Sequence, residues 1–396
     1  MYTFSPKPQK ESILKRKVPI FWLILVFILA TFFSALFVIN TKYESIETAK
    51  IIIPKKKPKI PMAFEKIVRP IPKPVSMSRL KRQGCVADGL LSEYNPDREQ
   101  YISLINRSSC YYLHRAVETW LTPPDFDTIG YVMSRLTKKD MVYGMFIAEA
   151  IKTNTEYFNK DENFQFDFKK MCQAGSENVW GEHSCKPDFG SGEYRNYLRY
   201  ITQEAVDLGI QSFTFGQIYF QEGEGGDKIA DIVKEMRAYA KKKKVNIIIG
   251  AQTGKITNPK FISLFDYIEG GTGVDENGNL PSGPCLDRWG GCWALLWNET
   301  YSKNAKNVLL HLDWSGIKSD DLDIFARMDQ TKRAETLKNL YQYFTSRNMG
   351  FLMPFFGVLD KDNGGCYGPK KRFYSPDNLY SCKDEDVINA IMKGNY

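Results

Sequence analysis

QSFTFGQIYFQEGEGGDKIADIVKEMRAYAKKKKVNIIIGAQ, residues 211–252, is the stretch of this chain that decides its fold. Residues 211–222 are rich in the aromatic and β-branched side chains of strands, and residues 245–252 form the short apolar run of a buried strand. Between them, residues 227–244 repeat apolar side chains at helical spacing. The apolar positions of this helix are Ile229, Ile232, Val233 and Met236. The stretch therefore predicts a strand, a helix and a second strand parallel to the first.

The same alternation continues on both sides of this unit. Apolar runs predict five further strands, at residues 111–120, 141–151, 266–271, 307–316 and 350–360. Other patterns predict helices at residues 125–136, 193–210, 258–265 and 321–348, and one within residues 289–303. Seven strands separated by helices indicate a mostly parallel sheet, since parallel strands need helical crossovers.

A closed (β/α)8 barrel of the TIM type is the α/β fold that we expect, and it needs one more strand than these seven. The eighth could come from the segment that follows Cys85, VADGLLSEY, or from the tail after Cys382. An open, doubly wound α/β sheet is the alternative. The first predicted strand is not followed by a GxGxxG or GxxxxGK(S/T) loop, and this favours the barrel over a nucleotide-binding sheet. The sequence predicts no cofactor.

An apolar run without a charged side chain, VPIFWLILVFILATFFSALFVI, occupies residues 18–39. As a helix it would be about 33 Å long, enough for a hydrocarbon core of about 30 Å, and it is longer than the apolar part of a cleaved signal peptide. We therefore predict a single membrane-spanning anchor. The basic residues of the tail, 1–17, predict a cytoplasmic N-terminus, with the rest of the chain at a cell surface, in a periplasm or in a lumen.

Beyond the span, the Pro- and Lys-rich stretch 40–84 predicts an extended linker, and residues 85–396 predict the extracytoplasmic barrel domain. The formal net charge of +8 comes largely from the tail and from residues 54–82. Because this excess lies outside the predicted barrel, and the sequence contains no recognisable nucleic-acid-binding module, we expect no nucleic-acid partner. The sequence makes no prediction of an oligomeric state.

All eight cysteines follow the predicted span, and they occur as neighbouring couples. They are Cys85, Cys110, Cys172, Cys185, Cys285, Cys292, Cys366 and Cys382. This distribution predicts disulfide bonds formed in an oxidising compartment, although eight cysteines allow about a hundred connectivities. Pairing of sequence neighbours is the simplest scheme, most directly for Cys285 with Cys292, then for Cys172 with Cys185 and Cys366 with Cys382. The sequence has no CxxC pair, so we predict no metal site.

Polar side chains recur where the predicted strands end. These are Glu118, Glu149, Gln217 with Glu222, Gln252, Glu269, Asp313 and Asp360. In a (β/α)8 barrel the carboxyl ends of the strands meet at one mouth, so we expect these groups to share a site. Such a ring suits a polyhydroxylated ligand, and the neighbouring Trp120 and Trp314 could stack on sugar rings.

Glycoside hydrolysis is the reaction that this set predicts, because it needs one carboxylic acid and one carboxylate beside the scissile bond. The candidates for catalysis are Glu269, Glu149 and Asp313, and the candidates for substrate binding are Gln217, Glu222, Gln252, Trp120 and Trp314. Each acid could instead cap a helix or pair with a basic residue. His311 lies within an apolar strand and is expected to be a core histidine.

The alternating pattern, the strand-end acids in YIEGG and LHLDWSG and the amide-ended strands FTFGQ and IIGAQ resemble (β/α)8-barrel glycoside hydrolases. The resemblance covers most of residues 110–360 at the level of architecture. It implies a carbohydrate ligand for a membrane-anchored, outward-facing protein. A non-catalytic surface protein that binds a glycan or a partner with the same barrel is the alternative. A luminal glycosyltransferase would share the tail, span and stem, but the lack of a DxD motif near a nucleotide-binding fold argues against it.

Overall fold

A computed structural model describes residues 71–92, 98–222, 225–254, 256–280, 297–313, 320–359, 366, 372–379 and 381–395 of the chain. In order along the chain, the first strands are β1 (Gly84–Ala87), β2 (Tyr112–Glu118), β3 (Val142–Ile147), β4 (Ile151–Lys152), β5 (Phe158–Asn159), β6 (Phe164–Gln165) and β7 (Ser184–Cys185). They are followed by β8 (Ser212–Phe215), β9 (Ile248–Ala251), β10 (Tyr267–Gly271), β11 (Val308–His311), β12 (Gly350–Val358) and β13 (Phe373–Tyr374).

Eight of these strands form a closed parallel barrel, which confirms the predicted (β/α)8 fold. The order around the barrel is β1, β2, β3, β8, β9, β10, β11 and β12, and β12 pairs with β1 to close it. The strand β13 extends the sheet by an antiparallel pairing with β12. The short strands β4 to β7 lie in the segment between β3 and β8, where they form two small antiparallel pairs.

Helices connect the barrel strands. They are α1 (Met77–Arg82), α2 (Arg98–Arg107), α3 (Phe126–Arg135), α4 (Gly192–Asp207), α5 (Asp227–Lys242), α6 (Pro259–Ile262), α7 (Glu299–Ser302), α8 (Asp321–Arg327), α9 (Gln330–Thr345) and α10 (Glu385–Lys393). Side-chain oxygens of Asp125, Ser191 and Asp329 accept backbone N–H bonds at the starts of α3, α4 and α9. These caps satisfy amides that have no partner within the helix.

Three elements differ in detail from the sequence-based expectation. The eighth strand is β1, which includes Cys85, whereas the tail after Cys382 forms the helix α10. The strand predicted at 211–222 ends at Phe215, because Gln217 has a left-handed φ of 30° and a 3-10 turn follows. The helix predicted at 321–348 is two helices, α8 and α9, and the second is started afresh by the Asp329 cap.

The interior of the barrel is closed at the end where the strands begin. Tyr112, Tyr267, Leu309 and Leu352 form an apolar cluster there, together with Leu80 of α1, which is completely buried. The last residues of the Pro- and Lys-rich stretch therefore contribute to the barrel core. A larger apolar layer lies between the strands and the surrounding helices, as expected for a parallel sheet.

Three disulfide bonds join neighbouring cysteines, as the simplest scheme predicted. They are Cys85–Cys110, Cys172–Cys185 and Cys366–Cys382. The first ties β1 to the segment before β2, and the second closes the insertion between β3 and β8. The predicted pair Cys285 and Cys292 lies outside the described residues.

Among the described helices, none combines the length and the apolar character that crossing a membrane requires. The predicted anchor at 18–39 and the tail at 1–17 lie outside the described residues, and so do Trp314 and Asp360.

Candidate functional site

A buried ion pair occupies the interior of the barrel above the apolar cluster. The Nε2 atom of His311 lies 2.6 Å from Glu269 Oε2, and Nε2 of His114 lies 3.5 Å from the same oxygen. Burial alone would raise the pKa of Glu269, but the charges of His311 and then His114 outweigh it and hold that pKa well below its usual range. Burial opposes protonation of His311 too, yet Glu269 raises the pKa of His311 to about 9. Glu269 is therefore an anion that faces a cationic imidazole.

Within the described part of the chain, His114, Glu269 and His311 are also the side chains that could hold a metal ion together. Their ligand atoms lie within 4.8 Å of one another. The hydrogen bonds of these side chains favour an ion pair over a metal site. Nδ1 of His311 lies 3.2 Å from the backbone oxygen of Leu312, so both of its ring nitrogens face an oxygen acceptor. A protonated imidazole offers no lone pair to a metal. Nδ1 of His114 lies 2.8 Å from the hydroxyl of Tyr112.

Arg115 is the centre of a second charged group, closer to the mouth. The register of β2 shifts between Leu113 and Val117, and within this shift Arg115 has a left-handed φ of 55°. Its Nη2 donates to Glu118 Oε2 at 2.9 Å, its Nε lies 2.9 Å from Asp88 Oδ1, and its guanidinium stacks 3.9 Å from the ring centre of Phe146. Burial raises the pKa of Asp88 to about 7 even against the opposing charge of Arg115.

Glu118 accepts hydrogen bonds from four donors, and burial raises its pKa against the opposing charge of Arg115. Its Oε2 accepts from Nε and Nη2 of Arg115, and its Oε1 accepts from the backbone amides of Thr119 and Trp120. With both oxygens occupied, this strand-end acid orients Arg115 and the start of the loop that carries Trp120.

Glu149 follows β3 and, unlike Glu118, has an oxygen without a hydrogen-bond partner in the described part of the chain. The side chain is 1% exposed, and Oε2 has no hydrogen-bond partner among the described residues. Burial raises the pKa of Glu149 to about 7. Gly216 faces this carboxyl so closely that a Cβ there would lie 2.5 Å from Oε2. The charges of Arg115, Glu118 and Glu269 all act on Glu149, which places it in the same cluster.

Asp313 lies just beyond β11, two residues after His311. It is buried, and burial raises its pKa well above the usual range, although the charges of His311 and Arg115 act in the opposite direction. Asp321 holds the neighbouring loops through backbone amides, because it accepts from Gly273 at 2.9 Å and from Asp313 at 3.5 Å. The three acids predicted for catalysis thus lie within one electrostatic cluster around Arg115.

The predicted substrate-binding amides are engaged with one another. Gln252 Oε1 accepts from the backbone amide of Gln217, and Gln217 Oε1 accepts from the hydroxyl of Tyr219. Glu222 binds the start of α5, where its two oxygens accept from the amides of Lys228 and Ile229. These contacts give all three residues a structural role in the loops after β8 and β9.

Aromatic side chains gather beside this cluster. The ring of Trp120 lies 5.5 Å from that of Trp180, and Trp180 lies 6.2 Å from Phe220. Phe220 is 37% exposed, and Nζ of Lys186 lies 4.4 Å from its ring centre. Trp120, Trp180 and Phe220, here called the aromatic platform, follow three different barrel strands and meet at the carboxyl ends of those strands.

Sequence reasoning missed several members of this site. The sequence does not single out Asp88, His114, Arg115 or Trp180. His311 is buried and hydrogen-bonded through both ring nitrogens, as expected of a core histidine, and its contact with Glu269 also makes it part of the site. His114 and Arg115 lie within a strand, and Asp88 follows a strand of only four residues. His311 and Asp313 are two residues apart, so an extended backbone places both side chains on one face. This spacing is the signal that could have linked His311 to the predicted acid Asp313.

Neither models of known protein families nor curated proteins match the chain. Similar solved structures include a GH113 β-mannanase from Alicyclobacillus acidocaldarius, 10% identical, with a TM-score of 0.43 over 79% of this chain and 97% of that one. A GH27 β-L-arabinopyranosidase from Geobacillus stearothermophilus is 11% identical, with a TM-score of 0.37 over 83% and 78%. An α-galactosidase from Thermus thermophilus is 14% identical, with a TM-score of 0.31 over 46% and 41%.

This chain thus matches less than half of the length of the galactosidase. The similar structures include glycoside hydrolases, in line with the resemblance seen in the sequence. At these TM-scores and identities, the similar structures carry no argument beyond the barrel fold, which the strand pairing already shows. The function has to be inferred from the residues of the site.

Proposed function

We propose that this protein is a glycoside hydrolase in which Glu149 donates a proton to the leaving oxygen and Glu269 supplies the second carboxylate. The observation that carries the proposal is a pair of buried strand-end carboxyls, each with one oxygen that has no hydrogen-bond partner among the described residues, whose pKa values are shifted in opposite directions. Glu149 is protonated up to a pH of about 7, whereas Glu269 stays ionised. Divergent pKa values of this kind are how a site assigns the acid and the anion.

Each carboxyl also keeps one oxygen available. Oε2 of Glu149 and Oε1 of Glu269 are buried without a hydrogen-bond partner among the described residues. An unsatisfied buried oxygen is unfavourable unless a ligand group meets it, so both oxygens are suited to substrate contact. His311 keeps Glu269 ionised before the reaction. In the proposed reaction Glu269 then either attacks the sugar carbon, forming a glycosyl ester as the glycosidic bond breaks, or takes the proton of an attacking water, while Glu149 gives its proton to the leaving oxygen.

The aromatic platform supports a carbohydrate as the ligand. Flat rings of Trp and Phe offer apolar faces on which the C–H face of a pyranose can pack, and Trp120 and Trp180 are both partly exposed. The backbone of Trp120 is fixed by Glu118, which also binds Arg115. A glycan lying on the platform would therefore be held next to the charged cluster.

We propose further that residues 18–39 anchor the protein in a membrane with the barrel on the outer side. The basic N-terminal tail supports this orientation. The three described disulfide bonds support an oxidising compartment. An alkaline phosphatase fused after the last residue should be active, and activity only from a cytoplasmic reporter at that position would overturn the orientation.

The catalytic roles can be separated with the full-length chain and two types of substrate. On a natural glycan, Glu149→Gln and Glu269→Gln should each lower kcat by roughly 10²-fold to 10⁴-fold. On an aryl glycoside whose leaving group needs no proton, Glu149→Gln should retain most of its first-step activity, whereas Glu269→Gln should not.

Glu222→Gln is the matched control, because this carboxylate binds the start of α5 and should leave kcat unchanged. Equal losses for Glu149→Gln on both substrates would contradict its role as the acid. Glycan binding without hydrolysis by the unmodified chain, preserved in Glu269→Gln, would instead establish the non-catalytic surface protein.

A further inference from the structure

The end of the barrel at which the strands begin, here called the floor, concentrates exposed basic side chains. In a parallel barrel the helices end on this side, and the loops that lead into the strands lie there too. The exposed basic residues of the floor are Arg82, Lys139, Lys241, Lys242, Lys244, Lys303, Arg347 and Lys393. We propose that the floor is a docking surface for an anionic phospholipid bilayer.

Three acidic side chains of the floor are paired with basic residues. The pairs are Lys73 with Asp140 at 3.0 Å, Lys243 with Asp207 at 2.8 Å and Arg237 with Asp266 at 3.1 Å. The eight exposed basic residues named above, by contrast, form no ion pair with a carboxylate of the described ranges. The floor therefore keeps a net positive charge that an anionic partner can meet.

Lys138 shows how closely cations from separate elements approach one another here. Burial, followed by the like charges of Arg79 and Lys393, lowers the pKa of Lys138 to about 8. The three residues come from α1, from the loop before β3 and from the end of α10. Its Nζ donates to the backbone oxygens of Ser108 and Cys110, so this partly buried cation is held by neutral acceptors.

The path of the chain identifies the partner. The chain enters the barrel at the floor, where the amide of Val75 donates to Asn246 Oδ1 and that of Ser76 donates to the hydroxyl of Tyr111. In the sequence this entry is preceded by KKKPK at residues 55–59, and before that by the uncharged run 18–39. The inference rests here on the proposed anchor at residues 18–39, because a basic stretch tethered to a bilayer meets lipid headgroups before any soluble anion.

The positive charge of the floor suits an anionic bilayer as the partner. Basic residues near an anionic leaflet are attracted individually, and the attraction decays over a Debye length of about 8 Å at physiological salt. Many exposed basic side chains on one face can be attracted within that range at the same time, whereas a single basic site gains only one such attraction. Docking by the floor would also turn the mouth, with Glu149 and Glu269, away from the bilayer.

Lysine labelling of the full-length chain in lipid nanodiscs tests the inference. The chain is reconstituted in discs of phosphatidylglycerol and in discs of phosphatidylcholine, labelled briefly with an acetylating reagent and analysed by mass spectrometry. Lys139, Lys303 and Lys393 should be labelled roughly threefold less in the anionic discs, and about 0.5 M salt should abolish the difference. Lys152 and Lys169, in the insertion after β3, should be labelled equally in both.

Two charge variants complete the test. Replacing Lys241, Lys242 and Lys244 by Gln should reduce the protection of Lys139 and Lys393, whereas the matched replacement of Lys152, Lys169 and Lys170 should not. Near-UV circular dichroism checks that both variants are folded. Equal labelling of the floor in the two lipids would overturn the inference, as would protection that survives the floor variant or high salt. The catalytic assignment is unaffected by either outcome.

Discussion

Replacing Glu269 by Gln should change how the stability of the barrel depends on pH, because it removes the anion that keeps His311 protonated. In the native chain the pKa of His311 is raised from 6.5 to about 9 by Glu269. A group whose pKa is raised on folding stabilises the protein below its unfolded pKa, and this contribution is lost as the pH rises through the folded value. Without Glu269, burial, the largest influence, lowers the pKa of His311 and favours its neutral form, with Asp313 opposing and Arg115 adding to this effect.

The size of the effect follows from the shift. One pKa unit corresponds to about 1.4 kcal/mol, so the pair contributes on the order of 3 kcal/mol near pH 6.5 and little above pH 9. Both side chains are completely buried, so solvent screening does not reduce this figure. Removing one partner of a buried ion pair typically costs about 3–5 kcal/mol. The deficit of Glu269→Gln should therefore be largest near pH 6.5 and smaller by about 3 kcal/mol near pH 9.

Urea denaturation of the full-length chain in mild detergent, followed by tryptophan fluorescence, measures this deficit at the two pH values. Glu222→Gln is the matched control and should show the same pH dependence as the native chain. The difference between native and Glu269→Gln cancels the titration of groups on which Glu269 does not act, such as Lys138. A deficit that stays constant between the two pH values would refute the ion pair as the origin of the shifts.

Three further predictions follow from the same packing. Hydrolysis should decline as the pH rises through about 7, because Glu149 then loses the proton that it donates, and a kcat/KM profile that is flat to higher pH would contradict this. Gly216→Ala places a Cβ 2.5 Å from Glu149 Oε2 and against the ring of Phe146, so it should lower the free energy of unfolding by about 1–3 kcal/mol in urea denaturation and lower kcat. Leu80→Ala, in the completely buried side of α1, should cost about 2–5 kcal/mol in the same assay, whereas the exposed Ser78→Ala should change stability by less than about 0.5 kcal/mol.

The fold could be predicted from the sequence because the barrel repeats a strong local signal. Apolar runs such as residues 245–252 and 350–360 are hydrophobic on both faces, which is typical of parallel strands covered by helices. The strand β1 is the exception, since its four residues, GCVA, are too short for periodicity to identify. Leu80 holds α1 beneath the barrel through contacts with residues that are far away in the sequence. The composition of a Pro- and Lys-rich stretch does not predict such contacts.

The site could be predicted only in part, since a strand end locates a carboxyl but not its partner. Glu149 and Glu269 were found because each lies near the end of an apolar run. The same rule selected Glu222, whose oxygens bind two amides of α5, and it passed over Arg115, which depends on a shift of register in β2. The local sequence therefore does not predict the role of a charged residue where a contact with another segment, or a shift of strand register, decides what that residue binds.

The contrast between Glu149 and Glu269 shows how strand order makes that decision. Both carboxyls are buried, so desolvation raises the pKa of each, and the local sequences FIAEAI and YIEGG contain no cation. Glu269 lies on β10, and its neighbour β11 supplies His311, which offsets the desolvation. Glu149 follows β3, and the segment after the neighbouring strand β8 supplies Gly216, which has no side chain to neutralise a charge. The acid and the anion of the proposed reaction are therefore distinguished by which residue the adjacent strand presents.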